Sequence, residues 1–593
     1  LGLVLLWTGW AAAAQTAAPP PQTRPAWVTR SDANARVLLD AQARFGPEGA
    51  AQTGLEGYDE EVLDLKPDRD ERLRAAVSAA IETLQGRLAG ETDPAVKQDL
   101  VILIDSAKRS LEGQALNERL VVSYFDAPQI VFFGVRGLLD DQVAPERRKA
   151  ALVRLRRYAG LEPGYTPILE LAAARTRKGL ATPGLLPPAR AELEKNLGNA
   201  GFYADGIAQL FQKYGLTGYE EAHGRFKAQL DAWNAFLKTE VLPKARTDFR
   251  EPPELYAFGV RNFGVDIPPA ALADRARISF LEIRNELKAL APLVAKEKGF
   301  PSPDYRDVIR ELKKQQVVGD AILPHYEARL RAVEEIIRRE KMVTLPTRPA
   351  RIRLSSEAES AQAPAPNMRP PRLVGNTGEM GTFMLPLRVP TTNPDGTPGP
   401  PKGFDDFTFD AASWTLTAHE ARPGHELQFA SLVEKGVSLA RAVFAFNSVN
   451  VEGWALYAEA EIKPALPLDG QLISLQHRLL RAARAFLDPD LQAGALQPEE
   501  ALRFLMEEVV LSEPMARQEV ERYTFRAPGQ ATSYFYGYLR WMELKSRVEL
   551  ALGKAFDRQR YHDFILSQGL LPPDVLGRAV LAEFVPSEKA RKP

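Results

Sequence analysis

Residues Thr415–Leu432 read TLTAHEARPGHELQFASL. Apolar and small residues recur on both sides of the Pro423–Gly424 pair at the three- and four-residue spacing of a helix. Proline lacks the N–H that a helix interior uses, and its ring presses on the carbonyl four residues back, here that of His419. Gly424 then admits backbone angles closed to other residues. The stretch is predicted to be a helix distorted at Arg422–Gly424. It carries two of the chain's six histidines, His419 and His425, each followed by an acid.

From Phe407 onward, helix periodicity continues nearly to the C-terminus. Upstream, between about Val343 and Asp410, Pro and Gly rise, and short β-prone runs such as ARIRL and GTFMLPLRV are separated by turn chemistry that includes NPDG. A small sheet and a long loop are expected there. GTFMLPLRV would be an edge strand able to pair with a peptide backbone, although such a run more often closes a sheet. From about Asp70 to Lys341, amphipathic runs such as ERLRAAVSAAIETLQGRL and ILPHYEARLRAVEEIIRRE predict an array of helices, broken at GLEPGYTP and GLATPGLLPP. The expected organisation is a helical N-terminal half (31–342), a small β region (343–410) and a second helical half (411–593), with 31–593 forming one structural unit.

Composition narrows the partners. With 76 Lys and Arg against 77 Asp and Glu, nothing draws the chain to nucleic acid. Zero cysteines exclude disulfides, a lipidated cysteine, a thiol nucleophile and thiolate metal ligands. The opening LGLVLLWTGWAAAAQTAAPPP reads as part of a signal peptide (1–14) followed by a Pro-rich disordered leader (15–30). Its apolar run is shorter than the ~20 residues that span a bilayer. A periplasmic or secreted protein is expected, with no stable membrane anchor after signal cleavage.

The two histidines nearly spell HExxH, in which residues four apart on one helix face share a zinc ion. At six apart, they differ by about 240° and ~9 Å on a regular helix, which forbids a shared ion. A bulge of about two residues at Arg422–Gly424 would turn His425 back toward His419. A third ligand is sought elsewhere, because catalytic zinc commonly takes three protein groups and one exchangeable water. The best candidate is Glu452 in NSVNVEGWALYAEAE, seven residues before Glu459 on one helix face and near Tyr457. Each piece also has an ordinary explanation: surface histidines, or a solvated stripe of acids. Two observations favour the site. Histidine is scarce yet clustered here, and EGWALY sets an acid among bulky apolar residues, where an unpaired carboxylate is costly.

HEARPGHELQ, EGWALYAE, RAARAFLD and EVERYTFRAPGQATSYFYG together resemble the bacterial domain-of-unknown-function 885 family, whose members carry HExxPGHxxQ and EGWAxYxE motifs and are similar to gluzincin metallopeptidases. The resemblance covers nearly the whole mature chain. It implies a mainly α, large multi-helix metallopeptidase-like fold with a small β-sheet beside the metal site and a deep central cleft. It also implies His419, His425 and Glu452 as ligands to Zn2+, Glu420 as the base and Glu459 as a supporting group behind the ligands. One departure is visible: Asp490-Leu491-Gln492 stands where the family often shows Gly-Leu-His.

A zinc-dependent peptidase acting on short peptides is the reading that follows. Tyr534 is expected to donate to the oxyanion, while Arg522, Tyr523 and Gln530 contact substrate. Tyr536 and Tyr538 cannot all face the site as well, since tyrosines two apart on a helix point in different directions. Arg478, Arg481 and Arg484 form either a carboxylate-binding stripe or a solvated ion-pair row. His223, His325, His477 and His562 are assigned no role. The alternatives are a zinc amidase on a non-peptide bond and a non-catalytic periplasmic peptide-binding or scaffold protein. Oligomeric state leaves no signal in the sequence.

Overall fold

A computed structural model describes residues 24–392 and 398–591. The proposed signal segment 1–14 and the NPDG turn lie outside the described residues. Of the predicted leader 15–30, the described part is already ordered, because α1 (Ala26–Ala43) begins at Ala26 after Pro25. Its buried Val28, Leu38 and Leu39 join the core, which explains why this segment is not solvated.

The chain is mainly helical. Beyond α1, the helices that matter for the site are α2 (Pro94–Leu120), α3 (Pro269–Lys298), α4 (Ile322–Arg339), α5 (Asp410–Glu420), α6 (His425–Glu434), α7 (Ser448–Ile462), α8 (Leu468–Gln492), α9 (Glu513–Glu521), α10 (Thr532–Leu552) and α11 (Arg558–Ser567). Helix α2 shows how local chemistry sets a boundary: the Asp93 side chain accepts from the N–H of Ala95 and Val96, and Pro94 takes the first helical position. Its buried Val96, Leu100, Leu103 and Ala107 then form one stripe. A single cluster of buried side chains runs from Ala35 through Leu103 and Val333 to Trp454 and Val585, so both helical halves share a core.

The β region forms two small sheets. In the first, β1 (Arg351–Leu354) runs parallel to β3 (Thr382–Leu385), and β2 (Asn367–Arg369) runs antiparallel to it, in the order β1-β3-β2. Arg351 pairs with Thr382, and Asn367 with Met384. The second sheet is a ribbon of β4 (Arg388–Thr392) and β5 (Pro398–Gly403). GTFMLPLRV is therefore divided between β3 and β4, and β3 is the central strand. Both its edges are used, so this run closes a sheet, the commoner role for it, and β3 offers no open edge to a peptide; its four residues are all buried, as a central strand's should be.

Helix α8 is buried over almost its whole length, with α3, α5 and α10 packed around it. This makes it the axis of the C-terminal half, and it means that Arg478, Arg481 and Arg484 do not form a solvated row. Helices α7 and α10 cross in backbone contact, since a Cβ on Gly453 would stand 2.6 Å from backbone atoms of Gly537. Two facing glycines thus let the helix bearing Glu452 lie directly on the helix bearing Tyr534.

Candidate metal centre

The HEARPGHE segment is two helices rather than one bulged helix. Helix α5 ends at Glu420 and α6 begins at His425, with Ala421 out of the helical region at φ −101°, ψ −98°. Across the break, the Gly424 N–H donates to the Ala418 carbonyl (2.9 Å) and the Leu427 N–H to the Ala421 carbonyl (3.3 Å). Each bond spans six residues instead of the four of an α-helix, so two residues are looped out. His425 consequently stands where the fourth residue after His419 would stand in an unbroken helix. Glycine is required at 424, because a Cβ there would lie 2.0 Å from the His419 carbonyl oxygen.

Two side chains hold the break in place. Buried Arg422 donates to Glu426 (2.7 Å), Glu334 (2.6 Å) and the Arg348 carbonyl (2.6 Å). Trp454 donates its indole N–H to the Pro423 carbonyl at 3.0 Å. Neither role was predicted from sequence, although the four-residue spacing of Arg422 and Glu426 is a helix-pair signal.

His419 and His425 meet edge to face, with ring centroids 4.7 Å apart. Glu452 Oε2 stands 3.2 Å from His425 Nε2 and 3.7 Å from His419 Nε2. One ligand atom from each of the three residues lies within 4.8 Å of the others. Tetrahedral zinc, with bonds of about 2.0–2.2 Å, sets its ligand atoms about 3.3–3.6 Å apart. Glu452 Oε2 is buried with no hydrogen-bond partner among the described residues, an orphan that a cation would satisfy. By donor type and spacing, the residues fit zinc.

Behind this trio, His419 Nδ1 lies 2.6 Å from Glu459 Oε1, and Thr415 donates to Glu459 Oε2 at 2.6 Å. Burial opposes ionisation of Glu459, but Arg481 and the bond to His419 outweigh it and hold the carboxyl down to about 2. An ionised carboxylate only accepts, so the shared proton sits on His419 Nδ1 and leaves a lone pair on Nε2. Burial likewise opposes ionisation of Glu452, yet His425 and His419 draw it well below the usual range. Glu420, buried at 6% exposure, lies beside the trio with a carboxylate oxygen 4.0 Å from His419 Nε2. Burial pushes it up to about 8, with His425 opposing and Glu452 reinforcing the rise.

His419, Glu420, His425 and Glu452 line a cavity of about 560 Å³. Leu373, Phe429, Val443 and Phe446 supply apolar lining, and Tyr534, Arg522 and Arg526 supply polar lining. The Tyr534 ring lies parallel to that of His419, with centroids 6.5 Å apart, and its hydroxyl accepts from Arg522 at 3.3 Å.

Two predicted substrate contacts lie elsewhere. Tyr523 is fully buried and donates to Glu519 at 2.7 Å, because the π-helical turn Arg522–Arg526 points it inward while Arg522 faces the cavity. Gln530 donates to Ser448 at 3.2 Å and does not line the cavity. Tyr457 donates toward His562 (2.7 Å), whose other ring nitrogen bonds the Met342 carbonyl, so both serve the core. Gln492 bonds the Tyr523 carbonyl at 2.7 Å and the Glu251 N–H at 2.9 Å, fastening the turn that carries Arg522.

Fold and site define a mainly helical protein with a His-His-Glu cluster, its histidines buried and its Glu452 partly so, in a cavity wall. The sequence model of the family named Bacterial protein of unknown function (DUF885) matches residues 47–580, and the chain belongs to that family. No curated protein matches it. Among solved structures, a candidate lipoprotein from Colwellia psychrerythraea is similar, with TM-score 0.75 and 19% identity over 94% of this chain and 99% of that one. A candidate lipoprotein of unknown function from Shewanella oneidensis is similar with TM-score 0.66 and 19% identity, over 94% of this chain and 100% of that one. At such identity the likeness is one of fold. None of the 593 residues here is cysteine, and no helix among the described residues is long and apolar enough to cross a membrane.

Proposed function

We propose that this protein is a zinc-dependent hydrolase, gluzincin-like in its chemistry, that cleaves short peptides. One observation carries the reading: His419, His425 and the orphaned Glu452 oxygen converge in the wall of a ligand-sized cavity, with Glu420 beside them. His419, His425 and Glu452 would hold the ion. When bound, zinc supplies Lewis acidity that polarises a carbonyl and eases deprotonation of water.

The chain's own residues supply the rest. Glu420 takes the proton of the attacking water and passes it to the leaving nitrogen. Tyr534 accepts from Arg522, so its own O–H proton is left to donate to the carbonyl oxygen as charge builds there. Glu459 holds His419 in the tautomer whose Nε2 faces the cavity. The cavity lies between the loop around Gln362–Leu373 and the C-terminal helices, which suits short extended peptides better than folded proteins. The apolar leader and the likeness in fold to candidate lipoproteins support a periplasmic or secreted location.

A peptide-binding scaffold would have no use for Glu420 at this position, which favours the enzyme. The test is metal content and peptide hydrolysis together. Wild-type protein is expected to hold one zinc per chain, and His419→Ala to lose it. Glu420→Gln should retain zinc while hydrolysis falls by about 10²–10⁴-fold. Full activity in Glu420→Gln would remove that residue from its role, and metal-free active protein would overturn the reading.

A further inference from the structure

Beside the metal cavity lies a second, smaller space of about 60 Å³. The two share His419, Glu420, Arg522 and Tyr534 in their walls, so they adjoin at the reacting groups. Three arginines face the small space: Arg481, Arg484 and Arg522. Two of them have carboxylate neighbours. Arg484 grips Glu519 with two bonds of 2.7 and 2.6 Å, and Arg481 stands 3.7 Å from Glu459.

Arg522 differs. Among the described residues no carboxylate oxygen lies within 4.0 Å of it, and its one side-chain hydrogen bond goes to the neutral Tyr534 hydroxyl. Glu519, one turn before it, is not free to pair with it, because its two oxygens already accept two bonds from Arg484 and one from Tyr523. Arg526, one turn on and also lining the cavity, likewise has no carboxylate within 4.0 Å among the described residues and donates to Gln518 and the Gln362 carbonyl. Elsewhere in the interior, Arg136, Arg422 and Arg441 each hold a carboxylate within 2.7 Å. A guanidinium left open toward a cavity is a fork awaiting an anion.

We propose that Arg522 is a carboxylate clamp, and that the substrates are peptides bound by a free C-terminal carboxylate and cleaved close to that end. This rests on the peptidase reading above for the cleavage, but not for the binding. A space of 60 Å³ holds about four waters' worth of volume, enough for a carboxylate and too little for a continuing chain. Buried Leu416, Leu480 and Met515 supply its apolar lining. The Tyr534 side chain connects the clamp to the metal ligands: its hydroxyl accepts from Arg522 at 3.3 Å, and its ring lies parallel to that of His419 with centroids 6.5 Å apart. At about 3.3–3.6 Å per extended residue, the clamp reaches a chain end one to three residues beyond the bond.

The experiment measures binding of N-acetylated tetrapeptide pools to zinc-loaded Glu420→Gln protein by calorimetry. One pool has free C-termini, the second is amidated, and the third is amidated with Asp as its last residue. The free-acid pool is expected to bind about ten- to a hundred-fold more tightly than the amidated pool, the range of a charge-assisted hydrogen bond. Arg522→Gln should bring that ratio near one, and Arg522→Lys should restore part of it. Zinc content and urea midpoint of each variant verify that the fold is intact. Equal binding of acid and amide, or a ratio that survives Arg522→Gln, overturns the clamp. If the Asp pool binds like the free acids, the clamped carboxylate belongs to a side chain and the terminal assignment fails. Discrimination without any hydrolysis by wild type would sink the peptidase reading alone; hydrolysis without discrimination would sink the clamp alone.

Discussion

Gly424→Ala tests the break that brings the two histidines together. The added methyl would lie 2.0 Å from the His419 carbonyl oxygen and 2.5 Å from that of Ala418, where ordinary contact begins at 3.4 Å. Both obstacles are backbone, so the break must open by roughly 1 Å, which is the scale of overpacking that costs about 1–3 kcal/mol. The Gly424 N–H bond to Ala418 is strained at the same time, adding about 1 kcal/mol. In a cooperative unit of this length, unfolding entropy is about 1.2 kcal/mol per degree, so even 4 kcal/mol moves Tm by only ~3 °C. Zinc affinity is the sharper assay, because ligands must be held within about 0.5 Å of their places. The zinc dissociation constant, read by competition with a chelator, should rise at least about tenfold. Gly86→Ala serves as a control of opposite sign. Nothing lies within 4 Å of its added methyl, and helix propensity should stabilise the protein by about 0.5–1 kcal/mol. If Gly424→Ala keeps both its urea midpoint and its zinc affinity within twofold of wild type, the looped-out geometry is not what unites the histidines.

Other consequences follow from neighbouring groups. Glu459→Gln keeps the size of the side chain but removes the charge that fixes the His419 tautomer; zinc affinity should fall about 10–100-fold, and an unchanged chelator titration would contradict that role. Asp126 precedes the helix Ala127–Arg136, and burial pushes its carboxyl up to about 7. A folded pKa raised above the unfolded value of 3.8 gives stability that is fully present below about pH 4 and lost as pH rises toward 7. Asp126→Asn should therefore gain on wild type by up to about 1.4 kcal/mol per pH unit across that window, with the gain levelling off above pH 7. Urea midpoints at pH 5 and pH 8 check this, and a difference between variant and wild type that is the same at both would refute it.

By itself the sequence determined the local elements. Three-and-four periodicity announced the helices, Pro423–Gly424 announced a break, and six-residue spacing announced that an unbroken helix could not unite His419 and His425. These are short-range statements, set by residues within a turn or two of each other. The tertiary structure decided the rest. That β3 is central depends on strands roughly fifteen to thirty residues upstream, and that α8 is buried all round depends on helices as distant as α3, about two hundred residues before it. That Tyr523 turns inward while Arg522 faces the cavity depends on how the π-helical turn packs. The placement of Glu452 over the histidines rests on α7 and α10 meeting at Gly453 and Gly537, and on Arg422 reaching Glu334 in α4. Periodicity tells which face of a helix is buried; it carries no information about which partner covers it, because apolar contact is non-directional and register between distant elements is chosen only when the whole core packs.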